Sequence, residues 1–186
     1  MSIEMSRLLQ AATFAADKHR DQRRKDIEAS PYINHPLAVA GLLADTGSIT
    51  DIELLIAAVL HDTVEDTATT IDELSERFGE SISKLVAEVT DDKSLSKEQR
   101  KQLQVENAPH KSDRAKQLKI ADKTCNIRDI NLESPANWDH ERKRQYFVWA
   151  ERVVDGCRGI NAALEQAFDD AISAARERVD SQLSAE

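Results

Sequence analysis

The chain has 186 residues, of which 40% are apolar, and this length and composition are typical of one domain with a single core. Its formal net charge of −9 argues against a nucleic acid as the main partner, because binding to a phosphate backbone relies on clustered Lys and Arg. The two cysteines form no CxxC pair, and no segment reaches about 18 consecutive apolar residues. We therefore expect one domain over residues 1–186, located in the reducing cytoplasm and neither exported nor inserted in a membrane.

Helical periodicity dominates the sequence and strand-like alternation is rare, which predicts an all-α bundle of roughly eight to ten helices. The apolar positions of segment 8–16 predict a first helix, and those of segment 36–43 predict a second helix that ends near Gly47. Asn34 is the candidate N-cap of the second helix, where it would set the orientation of His35.

A third helix is predicted to begin in segment 50–53, whose Thr-x-x-Glu spacing has the form of a capping box, and to continue through the apolar segment 54–60. At 100° per residue, the next four side chains that can bind metal or accept a proton fall within about 140° on one side of the helix. They are His61, Asp62, Glu65 and Asp66.

Segment 70–73 offers another capping box, for a short helix that Gly79 would close. The next helix is followed by the highly charged segment 91–107, which we expect to be exposed near the site. A break at segment 109–112 then separates it from a long helix, for which Ser112 is the candidate N-cap.

On that long helix, Asp122 and Asn126 are four residues apart and therefore share a face. The chain restarts at segment 134–135, ahead of segment 138–149. Segment 153–183 is amphipathic and carries no catalytic pattern, so we expect it to pack on the core or on a second subunit.

Several candidate ligands for a divalent cation are spread along these helices. Burying carboxylates and imidazoles is costly unless their charge is compensated, and a divalent cation supplies that compensation. Two His and two Asp, without thiolates, suit Mn²⁺ or Fe²⁺ better than a structural Zn²⁺, and Mn²⁺ is our first choice. Glu65 and Asp66 would then orient or deprotonate a water whose pKa the ion lowers. The four candidate ligands are His35, His61, Asp62 and Asp122.

Each of these features also has a simpler interpretation. A His-Asp dipeptide arises easily by chance, and Asp122 could form a surface ion pair with Lys119 or Lys123. The basic segment 18–25 could bind a polyanionic small substrate, or it could be the solvated end of a helix.

Several segments, taken together, resemble one known family, the HD-domain hydrolases of the RelA/SpoT-homologue group. The resemblance is greatest to the single-domain small alarmone hydrolases, which include the metazoan SpoT homologues. The His-Asp-x-x-Glu-Asp string is much more specific than the general His-Asp signature. The matching positions are segments 23–25, 31–36, 60–67, 90–93 and 121–123, followed by Asn126 and Arg128.

The resemblance implies a single HD hydrolase domain that removes the 3′-pyrophosphate of (p)ppGpp, giving GDP or GTP and pyrophosphate. It implies that the four ligands above hold Mn²⁺ and that Glu65 and Asp66 activate water. Since the matched segments occupy nearly the whole chain, we expect degradation of this purine nucleotide without its synthesis. The segment 124–125, Thr-Cys, departs from the family pattern and affects the expected shape of the nucleotide pocket.

The same resemblance implies roles for six residues in substrate binding. Arg24 and Lys25 would border the purine and phosphate site, and Asn126 would contact the nucleoside. The distal phosphates would meet Lys97, Arg142 and Tyr146, which could otherwise be solvated helix surface.

Three other functions remain open at this point. The same site could remove the 2′-phosphate of NADPH, because that group also lies on a ribose beside a purine. The chain could instead be a nonenzymatic nucleotide sensor, or a nucleotidase that prefers a 5′-phosphate. Sequence leaves the oligomeric state open as well, with a homodimer as one alternative.

Overall fold

The computed structural model describes residues 3–132 and 138–183. Within these ranges the chain forms ten α-helices, one short 3₁₀ helix at Ala108–His110, and an isolated bridge between Arg23 and Pro31, with no strand. The predicted all-α fold is confirmed. The helices are α1 Ile3–Lys18, α2 Asn34–Asp45, α3 Ile52–Leu60, α4 Thr63–Asp66, α5 Ile71–Phe78, α6 Glu80–Val89, α7 Lys97–Asn107, α8 Asp113–Leu132, α9 His140–Asp155 and α10 Ala162–Leu183.

Two predicted helix starts are wrong by a residue. The N-cap of α3 is Asp51, not Thr50, and the Asp51 carboxylate accepts from the backbone N–H groups two and three positions later, at 3.0 and 3.3 Å. A carboxylate makes a stronger, charge-assisted cap than a hydroxyl. Asn34 is the first residue of α2, and the capping position belongs to Ile33, whose side chain makes no cap bond.

Three other predicted boundaries are confirmed. Thr70 caps α5 by accepting from the backbone N–H of Glu73 at 3.1 Å, and Gly79 ends that helix with φ of 94°, a conformation that favours glycine. Ser112 accepts from the backbone N–H of Ala115 at 3.3 Å at the start of α8. The predicted restart at segment 134–135 lies outside the described residues.

The predicted continuous helix through Asp66 is interrupted. Helix α3 ends at Leu60, and α4 begins at Thr63 after a turn formed by His61 and Asp62. The ring of His61 donates from Nδ1 to the Ala58 carbonyl at 2.7 Å, and Thr63 Oγ1 donates to the Leu60 carbonyl at 2.7 Å. These side chains take the carbonyl acceptors that the next backbone N–H groups of a helix would use, which explains the break.

The core surrounds α3, which is buried from Leu54 onward except for Leu55. Helices α1, α2, α6 and α8 pack against α3, so that α2, α3 and α8 meet where the candidate ligands lie. The last helix, α10, packs along α8 of the same chain and buries Leu164 and Phe168 completely. None of the helices in the described ranges is long and apolar enough to cross a bilayer.

Candidate active site

The structure brings the four predicted ligands together. His35 lies in the first turn of α2, His61 and Asp62 lie between α3 and α4, and Asp122 lies in the middle of α8. His35 Nε2 is 3.2 Å from Asp122 Oδ1 and 3.9 Å from Asp62 Oδ2. His61 Nε2 is 3.3 Å from Asp62 Oδ1 and 3.9 Å from Asp122 Oδ1. Two imidazoles and two carboxylates therefore face a common centre.

One ring nitrogen of His61 faces this centre. Because Nδ1 donates to the Ala58 carbonyl, Nε2 is the nitrogen directed at the carboxylates, and it is the atom that can bind a metal when it carries no proton. Nε2 is buried and makes no hydrogen bond within the described residues, although oxygens of Asp62 and Asp122 lie nearby. Facing these carboxylate oxygens, Nε2 needs positive charge, supplied either by a proton on the ring or by a cation that replaces that proton. The residues present therefore fit a divalent cation.

Asp122 is held from both sides. Lys123 donates from Nζ to Oδ2 at 2.9 Å, and Asn126 donates from Nδ2 to Oδ1 at 2.6 Å. Burial favours the neutral acid, but Lys123 and the two histidines outweigh it and hold the pKa of Asp122 well below its usual range. The alternative ion pair with Lys123 does exist, but both partners are buried, and Lys119 instead donates to the Val89 carbonyl.

Asp62 has a hydrogen-bond partner, Tyr32, for which no role was predicted. The hydroxyl of Tyr32 donates to Asp62 Oδ2 at 2.6 Å, and its ring packs against His19 and His35. Burial and the charge of Asp62 raise the pKa of Tyr32, so the phenol keeps its proton for this hydrogen bond. Burial favours the neutral form of Asp62, but His61 and His35 outweigh it and lower the pKa of that carboxyl.

The predicted catalytic pair occupies two different settings. Glu65 accepts one long hydrogen bond, at 3.4 Å, from the backbone N–H of Asp91, and Lys93 Nζ lies 3.7 Å away. Burial, then the charges of Asp91 and Asp62, raise the pKa of Glu65. Asp66 is held more closely, with Lys93 Nζ 2.8 Å from Oδ1 and Gln22 Nε2 3.1 Å from Oδ2.

Two adjoining cavities contain all six residues predicted to bind substrate. The first, about 390 Å³, is lined by Arg24, Lys25, Asn126 and Tyr146 together with Tyr32, Asp66 and Trp138, among others. The second, about 690 Å³, is lined by Lys25, Lys97, Arg142 and Tyr146 and reaches Glu65. The cavities share Lys25, Trp138 and Tyr146. Thr124 and Cys125 are buried within α8, away from both linings.

Within the first cavity, Arg24 is held in place by other residues. Its guanidinium contacts the Asp129 carboxylate, donates to Asn126 Oδ1 at 3.3 Å, and lies over the Tyr32 ring at 5.6 Å. Asn126 therefore links Asp122, a candidate metal ligand, to Arg24, a candidate substrate-binding residue.

Lys101 in the larger cavity was missed by the sequence analysis. Its Nζ lies 4.7 Å from the Trp149 ring centre and 5.7 Å from that of Tyr146. Burial lowers the pKa of Lys101, and so do the positive charges of its neighbours. These neighbours are Lys97, Lys123 and Arg142. The available signal was its spacing, because Lys101 lies four residues after Lys97 on α7 and shares its face.

An all-helical fold with two His and two Asp around a buried centre is typical of HD-domain proteins that bind a metal. The HD domain family matches residues 11–153, and the chain belongs to that family. The resemblance inferred from the motifs is thus confirmed.

Similar proteins share most of this chain. Human guanosine-3′,5′-bis(diphosphate) 3′-pyrophosphohydrolase MESH1 is 56% identical over 168 residues, which are 90% of this chain and 94% of the human protein. Its Drosophila melanogaster counterpart is 48% identical over 165 residues, 89% of this chain and 92% of that protein. A solved structure, described as a metazoan ortholog of SpoT that hydrolyzes ppGpp and plays a role in starvation responses, has a TM-score of 0.88 at 47% identity and covers 93% of this chain and 96% of its own.

Proposed function

We propose that this protein is a metal-dependent (p)ppGpp 3′-pyrophosphohydrolase, which releases GDP or GTP and pyrophosphate. The observation that carries the proposal is the cavity that reaches Glu65 beside the cluster of His and Asp side chains, because five cations lie among the carboxylates of its lining. They are Lys25, Lys97, Arg100, Lys101 and Arg142. A substrate with two phosphorylated positions needs several cations around it. The activity named for the human and fly relatives supports the same assignment.

Mn²⁺ is the proposed ion, because the donor set combines imidazole nitrogen with carboxylate oxygen and lacks thiolates. When bound, the ion supplies Lewis acidity and lowers the pKa of a coordinated water. Tyr32 and Lys123 orient Asp62 and Asp122 by hydrogen bonds to one oxygen of each carboxylate. The proposed ligands are His35, His61, Asp62 and Asp122.

Glu65 is the proposed proton acceptor for the attacking water. Its raised pKa brings it closer to neutrality, where a carboxylate accepts a proton more effectively. Water oxygen forms a bond to the phosphorus attached to the ribose 3′-oxygen, and the bond between that phosphorus and the 3′-oxygen breaks. The 3′-oxygen takes up a proton from solvent, which balances the proton that Glu65 accepts from the attacking water and later releases. Asp66, with both oxygens in hydrogen bonds, provides a fixed negative charge beside this step.

The two cavities suggest where the parts of the nucleotide lie. We assign the nucleoside to the smaller cavity, where Arg24 and Asn126 offer hydrogen bonds and Trp138 offers an aromatic surface. We assign phosphate groups remote from the reacting bond to the larger cavity, with Lys25, Lys97, Arg142 and Tyr146 as contacts. Lys101 joins this set because of its position among cations and aromatic rings.

We further propose that residues 1–186 act as one hydrolase domain in the cytoplasm, with a small purine nucleotide as partner. Both cysteines, Cys125 and Cys157, are free and buried, which agrees with a reducing compartment. A homodimer would have to use a surface other than the α10 face that is already buried on α8.

Product analysis tests the substrate assignment. Metal-free protein reconstituted with Mn²⁺ is incubated with ppGpp and with NADPH in parallel, and Asp62→Ala serves as the control. We expect ppGpp to be cleaved to GDP and pyrophosphate with much higher efficiency than NADPH is cleaved. Orthophosphate and NADH as the dominant products would overturn the proposal in favour of the NADPH alternative, which neither the cavities nor the relatives favour. Binding of ppGpp without turnover would indicate the sensor.

A substitution at Glu65 tests its role separately. Glu65→Gln keeps the shape of the side chain but cannot accept the proton, so kcat should fall by about 10²- to 10⁴-fold. Bound Mn²⁺, measured by metal analysis, should stay at the wild-type level because Glu65 is not a proposed ligand. An unchanged kcat would remove Glu65 from the mechanism.

A further inference from the structure

A chain of hydrogen bonds leads from a buried histidine to Asp66. His19 Nδ1 lies 2.8 Å from the side-chain oxygen of Gln22, and Gln22 Nε2 lies 3.1 Å from Asp66 Oδ2. His19 follows α1 directly and is 2% exposed, whereas Gln22 lines the smaller cavity. Both residues belong to the basic segment 18–25.

The partners at both ends fix the orientation of the Gln22 amide. The Asp66 carboxylate can only accept, so the NH₂ group of Gln22 must face it. The amide oxygen then faces His19, and since that oxygen can only accept, the proton of the imidazole must lie on Nδ1. Each donor in the chain therefore has one acceptor, and reversing the amide would set its oxygen against the Asp66 carboxylate and break that hydrogen bond.

His19 also supports the site through a second contact. Its ring lies against that of Tyr32 with centroids 4.8 Å apart, and Tyr32 donates to the ligand Asp62. The other ring nitrogen, Nε2, is buried without a hydrogen-bond partner among the described residues. An apolar residue would avoid that unsatisfied atom, so the advantage of a histidine here must lie in its Nδ1 donor.

Of the two proposed catalytic carboxylates, the Gln22 side chain bonds Asp66 and not Glu65. The other donor to Asp66, Lys93, also lies 3.7 Å from Glu65 and is half exposed, so it does not distinguish between the two carboxylates. Gln22 bonds the oxygen that Lys93 leaves free. Together the two donors fix both oxygens of Asp66, and hence the plane of the carboxylate.

We propose that Gln22 is a positioning residue that holds the Asp66 carboxylate in its working orientation, with its own amide fixed by His19. This role rests on the proposed function, in which Asp66 lies beside the attacking water. Gln22 then contributes to kcat through Asp66 and contributes little to substrate or metal binding.

The test compares the wild type with Gln22→Ala and Gln22→Glu, all reconstituted with Mn²⁺ and assayed on ppGpp. We expect kcat of Gln22→Ala to fall about tenfold, as for loss of one hydrogen bond to a charged group, while KM and bound Mn²⁺ stay within twofold. Gln22→Glu should fall further, because two carboxylates would face each other. The matched control is Gln166→Ala, which removes an exposed bond from glutamine to Asp170 on α10 and should behave as wild type.

Two further comparisons separate positioning from general stability. In an Asp66→Asn background, Gln22→Ala should cause no additional loss of kcat, because its target carboxylate is gone. Asn at position 19 can present an amide N–H where the imidazole N–H lies, so His19→Asn should retain more activity than His19→Leu.

The outcomes separate this proposal from the proposed function. Gln22 variants with wild-type kcat, or losses that simply multiply in the Asp66→Asn background, would overturn the positioning role while wild-type turnover upholds the hydrolase. A wild type that releases no pyrophosphate from ppGpp would overturn both.

Discussion

Lys123 donates a hydrogen bond to Asp122, its neighbour on α8, with 2.9 Å between Nζ and Oδ2 and both side chains buried. The ammonium group also lies 4.6 Å from the centre of the Trp149 ring. One oxygen of this proposed metal ligand is thus neutralised by the protein itself, and the other faces the two histidines.

Replacing Lys123 with Met should destabilise the metal-free protein by about 3 kcal/mol, because it leaves a buried carboxylate without its cation. Saturating Mn²⁺ should reduce this loss, since the ion then compensates the same carboxylate. Denaturant unfolding with and without Mn²⁺ measures both values. An equal loss in the two conditions would contradict the placement of Asp122 at the metal.

Tyr32→Phe removes the hydroxyl that donates to Asp62 but keeps the ring against His19. Loss of a hydrogen bond behind a metal ligand commonly lowers metal affinity about 10- to 100-fold. We expect a loss of this size in a Mn²⁺ titration, with kcat at saturating metal much less affected. Unchanged affinity would show that the 2.6 Å contact does not orient the ligand.

Asp91→Asn should change the pH dependence of turnover. The charge of Asp91 helps to raise the pKa of Glu65, while its backbone N–H remains in the variant. Glu65 must be ionised to accept a proton, so activity falls as pH falls through its pKa. Since the variant lowers that pKa, its acidic limb in a kcat profile should lie at lower pH than in the wild type. A shift to higher pH would argue against Glu65 as the base.

Lys101→Met keeps most of the side-chain volume but removes the charge between Trp149 and Tyr146. We expect kcat/KM on ppGpp to fall roughly tenfold, mainly through KM, because one contact to a charged group is lost. Lys101→Arg should recover part of this loss. Lys84→Met, which removes an exposed lysine on α6, is the control. Equal KM values for the Lys101 and Lys84 variants would exclude Lys101 from the substrate site.

The sequence was sufficient to predict the all-α fold and to propose metal ligands from three separate parts of the chain, which the structure brings together. His61 and Asp62 follow a strongly apolar segment, and the fixed spacing to Glu65 and Asp66 is a local property that a motif records. The positions at which individual helices begin and end were predicted less accurately. The break after Leu60 depends on bonds from the side chains of His61 and Thr63 to backbone carbonyls, and periodicity contains no information about these bonds.

The supporting residues were missed for a different reason. Tyr32 reaches Asp62 across 30 positions and Gln22 reaches Asp66 across 44, so only the packing of the helices brings them together. Lys123 was considered only as a surface ion pair, because a sequence does not show which face of α8 is buried. Such contacts depend on the tertiary structure, whereas candidate metal ligands can be recognised by residue type and sequence spacing.

Metal dependence of ppGpp cleavage tests the central claim most directly. Metal-free protein is titrated with Mn²⁺ while pyrophosphate release is measured, with Asp62→Ala and Asp122→Ala titrated alongside. We expect no release without metal, a rise that saturates near one ion per chain, and no rise in either variant. Pyrophosphate release at the full rate in a chelator, or undiminished release by the Asp62 and Asp122 variants, would contradict it.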